Sequence, residues 1–179
     1  ALQDVDFLDA GFLSPYNIAG AKFSPSGSLF FIPEAPINGV PLAKSIDVFD
    51  VHRQRLALQI ALPEPLVTGL NAMCLDDTGS KIFALSQSGI TIAQLAFVPL
   101  SIASVSPSEA SAGTAISIRG SGFQNGAQIL LNSIPVQTTY VDANTLRATI
   151  PAGLTGPIQV LVTNPDGGSY KYDDAFTVQ

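Results

Sequence analysis

The stretch Ile158-Gln159-Val160-Leu161-Val162-Thr163-Asn164-Pro165-Asp166-Gly167-Gly168 carries two structural signals back to back. Ile158, Val160 and Val162 alternate with Gln159, Leu161 and Thr163, the period-two pattern of a strand with one face in a core. Asn164-Pro165-Asp166-Gly167 then supplies hairpin turn chemistry, because proline presets φ and glycine accepts a positive φ. The pattern continues on both sides. Ala115-Ile116-Ser117-Ile118-Arg119-Gly120 alternates with Ile116 and Ile118 facing in. Ile129 and Leu131 share a face of the next strand, with Val136 and Thr138 on the strand after it. Leu146, Ala148 and Ile150 follow, ended by Pro151, and Phe176 and Val178 close the run. About seven short strands with two inner faces make a compact immunoglobulin-like sandwich, expected over residues 99–179.

Gly120-Ser121-Gly122-Phe123 sits in the middle of this half. Both glycines are expected to take backbone angles that a Cβ forbids, which lets Phe123 turn into the core. The wording of the half resembles the IPT/TIG family. The resemblance rests on Val105-Ser106-Pro107-Ser108, Ala112-Gly113-Thr114 and Gly120-Ser121-Gly122-Phe123. It continues through Ile150-Pro151-Ala152-Gly153, Gly156-Pro157, the stretch Val160 to Gly168, and Ala175-Phe176-Thr177-Val178. It implies a binding or spacing module that sits in cell-surface receptors, Rel-like transcription factors, carbohydrate-active enzymes or bacterial surface arrays. DNA-binding members use basic loops, whereas this half holds only Arg119, Arg147 and Lys171 as cations.

Residues 1–98 read differently. Ala21 to Ile32 (AKFSPSGSLFFI) and Ala72 to Leu85 (AMCLDDTGSKIFAL) are two versions of one unit: apolar strand, polar turn ending in Gly-Ser, apolar strand. Third strands are expected at Ser45–Val51 and Gly89–Ala96, and a fourth at Arg55–Leu62, with no clear fourth in the second unit. Units of about 40–50 residues with four strands are the arithmetic of propeller blades. Residues 16–96 resemble blades of bacterial YVTN-type, lactonase-like propellers, which implies a partial propeller of about two blades. Since about 4–8 blades close a propeller, an orphan pair would expose apolar sheet surface and favour self-association, or belong to a longer protein.

Composition narrows the function. Charged residues make up 12% of the 179 and apolar ones 46%, with a mean hydropathy of +0.34, so apolar surface awaiting a partner is expected. The net charge of −6 repels phosphate backbones, and neither half gathers a basic patch: residues 1–99 hold 9 acids and 5 bases, residues 100–179 hold 5 and 3. Nucleic acid is therefore not an expected partner. The single cysteine, Cys74, lies among Ala72, Met73 and Leu75 and reads as a buried small hydrophobe. Ala1, with Asp4, Asp6 and Asp9 close behind, has none of the marks of a signal peptide and reads as a trimmed or mature start. The uncharged run Ile82–Ser108 alternates and contains Pro99, so no membrane span is expected.

Catalytic equipment is not legible. His52, the only histidine, falls in the turn Val51–Arg55 with no nucleophile elbow in sight, and reads as an exposed turn residue. Asp76-Asp77 and Asp173-Asp174 lack the alternating ligand pattern of a calcium loop and read as turn or capping groups. Tyr170 and Tyr172 leave the last strand on one face, flanking Lys171, and are the candidate binding surface for a glycan or a protein, with packing as the competing role. No cofactor or metal is expected. The reading is an all-β, non-enzymatic binding or scaffold protein, secreted or at the cell surface. The alternative is an accessory C-terminal region of a larger propeller enzyme whose active site lies in other blades.

Overall fold

The computed structural model describes residues 20–34, 44–67 and 72–179, and every regular element among them is a β-strand. The reading of Ala1, Asp4, Asp6 and Asp9 lies outside the described residues. Strands β1 (Lys22–Phe23), β2 (Leu29–Pro33), β3 (Ser45–Asp50) and β4 (Arg55–Ala61) form one antiparallel meander. A second, three-stranded meander follows with β5 (Met73–Leu75), β6 (Lys81–Ser86) and β7 (Gly89–Gln94).

The repeat read in the sequence is present atom by atom. Lys22 opposes Phe31 and Phe23 opposes Phe30, and the equivalent Cys74 opposes Phe83 and Leu75 opposes Ile82. Both turns close identically: Ser24 N donates to Leu29 O at 2.9 Å as Asp76 N donates to Lys81 O at 3.0 Å. Gly27 and Gly79 adopt φ of 78° and 73°, the left-handed conformation the turn needs. A hydroxyl at the middle of each turn, Ser26 or Thr78, links the turn's first and last side chains: Ser24 with Ser28, and Asp76 with Ser80.

The two meanders share one core. Leu29, Phe31, Ile46, Val48 and Ile60 from the first pack on Met73, Ile82 and Ala84 from the second. Strand alternation then sends the intervening residues to the outer faces. This corrects the reading of Cys74. Met73 takes the inward position, so the thiol next to it points out and is exposed.

Residues 101–178 build the sandwich. One sheet has the order β13 (Thr138–Asp142), β14 (Thr145–Thr149), β10 (Ala115–Ser121), β8 (Ser101–Ser106). The other runs β12 (Ile134–Val136), β11 (Gln128–Leu131), β15 (Gly156–Thr163), β16 (Ser169–Val178), β9 (Glu109–Ala110). Ile116, Ile118, Ile129, Leu131, Leu146, Ala148, Ile158, Val160 and Val162 meet between the sheets as their alternation requires.

Val136 and Thr138, read as one strand, belong to two. The chain leaves one sheet after Val136 and enters the other at Thr138, whose hydroxyl accepts from Ile129 N (2.9 Å) and so continues the ladder the backbone abandons. Gly122 has the positive φ expected of it, 73°, but Gly120 does not. Gly120 is glycine for space: a Cβ there would lie 2.1 Å from Ser101 O and 2.6 Å from the Phe123 ring.

Candidate functional site

Among the described residues, three turns of the meanders touch the sandwich. At the first, Ser101 Oγ donates to Ser28 Oγ (2.7 Å), Ser28 Oγ donates to Ser121 Oγ (2.8 Å), and Ser26 Oγ lies 2.7 Å from Ser121 Oγ. Ser28, Ser101 and Ser121 are all buried, and each hydroxyl finds a partner across the junction, so none bears an uncompensated desolvation cost. At the second turn, Asn144 Nδ2 donates to the Asp77 carbonyl at 2.8 Å.

The third contact is the richest. Asp50, the last residue of β3, caps the turn 51–54 by accepting from Arg53 N at 2.8 Å. The same oxygen accepts from the Tyr170 hydroxyl at 2.9 Å. The Arg53 guanidinium lies 3.7 Å above the Tyr170 ring, a cation–π stack, and the His52 ring meets Tyr172 edge-on with centroids 4.2 Å apart. Burial, and after it the Asp50 charge, push the Tyr170 phenol well above its ordinary value, so it stays a neutral donor.

The structure therefore separates the two tyrosines of the candidate surface. Both project from the inner face of β16, opposite Val162 and Val160. Tyr170 is fully buried and spends its hydroxyl on Asp50, whereas Tyr172 is half-buried at the sandwich rim. His52 is an exposed turn residue, as read.

Beside Tyr172 opens a groove of about 540 Å³ lined by His52, Arg53, Arg55, Lys171 and Asp173. Three permanent cations and an imidazole face one carboxylate there, in a chain of net charge −6. That carboxylate is engaged: Lys171 Nζ sits 3.0 Å from Asp173 Oδ1, and Gln159 Nε2 donates to the same oxygen. Lys171 is the main reason the Asp173 carboxyl is held below its ordinary value. Single-sequence reading missed this groove because its cations come from segments more than a hundred residues apart.

A second cleft, about 630 Å³, lies along the linker 96–100 between Thr78, Ser80, Phe123, Gln124 and Asn164. Its polar groups are committed. Asn164 Oδ1 accepts from Gln124 N, and Asn164 Nδ2 donates to Gly122 O. Asp76 accepts from Thr78, Ser80 and Lys81 N, a turn-capping role. Among the described residues no three His, Cys, Asp or Glu side chains gather to hold a metal. No helix among them is long and apolar enough to cross a membrane.

The fold of residues 101–178, with its two sheets and its glycine-anchored Phe123, invites comparison with known domains. Residues 100–178 match the IPT/TIG domain model. In this IPT/TIG domain the motif glycines serve close approach to the linker and to β8, and Tyr170 serves the junction.

No curated protein matches the chain. Among solved structures it is similar to a surface glycan-binding protein from a Bacteroides ovatus mixed-linkage glucan utilisation locus, solved with a heptasaccharide (29% identity, 55% of this chain, 28% of that one, TM-score 0.38). It is also similar to one from a Bacteroides uniformis xyloglucan utilisation locus (17%, 83% and 45%, TM-score 0.40). A third is a γ-cyclodextrin glucanotransferase from an alkalophilic Bacillus clarkii (17%, 85% and 24%, TM-score 0.43). This chain spans less than half the length of each.

Proposed function

We propose that this chain is a non-catalytic binding and scaffold module of the cell exterior, and that the groove beside Tyr172 takes an acidic glycan. The observation that carries the reading is the groove lining of Arg53, Arg55, Lys171 and the exposed His52, whose ring meets Tyr172 edge-on. The exposed imidazole ring suits the apolar side of a sugar, and cations lining the same groove select carboxylate or sulfate substituents. The IPT/TIG domain, taken as residues 99–179, is then the platform, and the turn 51–54 of the first meander supplies the other wall.

The test is an array of neutral and acidic glycans probed with the full chain. Retention of uronate- or sulfate-bearing glycans, weakened by salt and lost in Tyr172→Ala and Arg55→Ala, is the expected result. No binder among acidic glycans, or variants that bind as well as the parent chain, removes the proposal. The exposed Leu85, Ile90 and Ile92 of the second meander favour a second reading, an accessory region of a larger propeller enzyme. An upstream reading frame encoding further blades and a catalytic site would carry it.

A further inference from the structure

Strand β7 ends its sheet with one side of its backbone unmatched. In the first unit the far side of β3 carries β4. In the second the order stops at β7, and among the described residues no strand pairs with its far side. The bonds to β6 tell which groups face outward. Leu95 N donates to Ser80 O at 2.8 Å, and successive residues of an antiparallel pair alternate between bonded and non-bonded. Thr91 and Ala93 therefore spend their amides and carbonyls on β6, and those of Ile90, Ile92 and Gln94 point to the open side.

Nothing on this edge discourages pairing. Natural sheets guard an open edge with lysine, proline or a bulge. Gly89 to Gln94 (GITIAQ) contains no charge and no proline, and its register with β6 is unbroken. Two of the residues with open ladder groups are also exposed apolar ones: Ile90 is 69% and Ile92 61% exposed, beside Leu85 at 46%. The sandwich engages the turns 24–28, 76–80 and 50–53 and leaves these side chains uncovered.

We propose that β7 pairs antiparallel with β7 of a second copy of this chain, across a two-fold axis at Ile92, joining two three-stranded meanders into one continuous sheet. The register follows from the open groups. With Ile92 opposite its own copy, Ile90 falls opposite Gln94 and Gln94 opposite Ile90, and each outward amide and carbonyl of these residues meets a partner. That pattern, spaced evenly about Ile92, is its own complement, which selects a second copy over an unrelated extended peptide. Opposed residues of antiparallel strands project to the same side, so Ile92 meets Ile92 in the row that Cys74, Phe83 and Ile92 form across β5, β6 and β7. Centring on Thr91 would pair fewer groups and would bring together the two Glu64 carboxylates, each 3.3 Å from its own Thr91 hydroxyl. One copy has one β7, so the assembly closes as a dimer. Residues 90–94 alone bury less than the ~800 Å² per partner of a standard interface, so the dimer forms and dissociates with concentration.

Sedimentation velocity of the full chain over a hundredfold range of concentration tests the contact. The expected mass rises from the 18.6 kDa of one chain toward twice that value and stops there. Ile92→Lys sets two ammonium groups opposite each other at a solvent-exposed position, so the fold is kept, as circular dichroism would verify, and the variant should stay monomeric. The geometry has its own readout in the parent chain, because Cys74 is the only cysteine and is exposed. The row Cys74–Phe83–Ile92, doubled across the axis, spans five strand spacings and sets the two Cys74 Cα atoms about 24 Å apart. Nitroxides on Cys74 should therefore give one spin–spin distance, near that value, in pulsed electron resonance. A parent chain that stays monomeric throughout, or one that grows past the dimer, would overturn the proposal. So would an Ile92→Lys chain that associates as the parent does, or a label distance that departs from this value by more than the length of the two label arms. None of these outcomes bears on glycan binding, which is read at a different surface.

Discussion

Gly120 shows at the scale of one residue how a glycine motif can have an unexpected physical cause. Its backbone angle is one any residue could adopt; what it lacks is room, because the Ser101 carbonyl and the Phe123 ring occupy the place of a Cβ. Gly120→Ala must push β8 away from β10 or turn Phe123 out of the core, and overpacking of this kind costs about 1–3 kcal/mol. Gly113 is the natural control. A Cβ there meets nothing, and only its φ of 83° resists a side chain, a strain of about 1–2 kcal/mol. Urea unfolding of the two alanine variants should show the larger fall in midpoint for Gly120→Ala, with Phe123 more exposed. Equal stability of Gly120→Ala and the parent chain would refute the steric account.

At the scale of elements, the twin turns differ in one respect that pH can read. The first uses Ser24 where the second uses Asp76. Burial acts to raise the Asp76 pKa, and hydrogen bonds from Lys81 N, Thr78 and Ser80 outweigh it, leaving the carboxyl below its ordinary 3.8. Glu64 is held below its ordinary 4.5 by hydrogen bonds from Ser86 and then Ser88, strapping the segment before β5 to the β6–β7 turn. A folded-state pKa below the unfolded one gives stability that is present above the unfolded value and lost as pH falls through the folded one. The second meander should therefore weaken as pH drops below about 4.5. The double variant Glu64→Gln, Asp76→Ser, the serine copied from the twin turn, should flatten that acid slope in thermal melts. An unchanged slope would mean the carboxylates do not contribute.

Such turns were readable from sequence because their chemistry is local. So was the alternation of Ile116, Ile118, Val160 and Val162. What covers a face is not local. Cys74 and Met73 carry the same apolar signal, and only the position of the neighbouring sheet decides which is buried. The break between Val136 and Thr138 likewise depends on which sheet each half joins. Tyr170 could be singled out, but not its partner Asp50, which lies 120 residues earlier.

At the scale of the whole molecule, that same pair and the buried serines tie two separate hydrophobic cores together. Tyr170 reaches from one core to the capping carboxylate of the other, so its protonation state is a property of the docked molecule. Burial and the Asp50 charge raise its pKa from the ordinary 10.0. For a group raised in the folded state, the stabilisation is complete below the unfolded pKa and is lost as pH rises toward the folded one. Calorimetry at neutral pH should then show the two cores melting together. From about pH 10 upward the junction should weaken first and the transition should split. Tyr170→Phe removes the ionisable hydroxyl but keeps the ring under Arg53. It should cost about 1.5–3 kcal/mol at neutral pH, the range for a hydrogen bond to a charged group. Its stability should also lose the alkaline fall that Tyr170 contributes in the parent. A variant as stable as the parent at neutral pH, or one with the same alkaline fall, would show that the Tyr170–Asp50 contact does not couple the two cores.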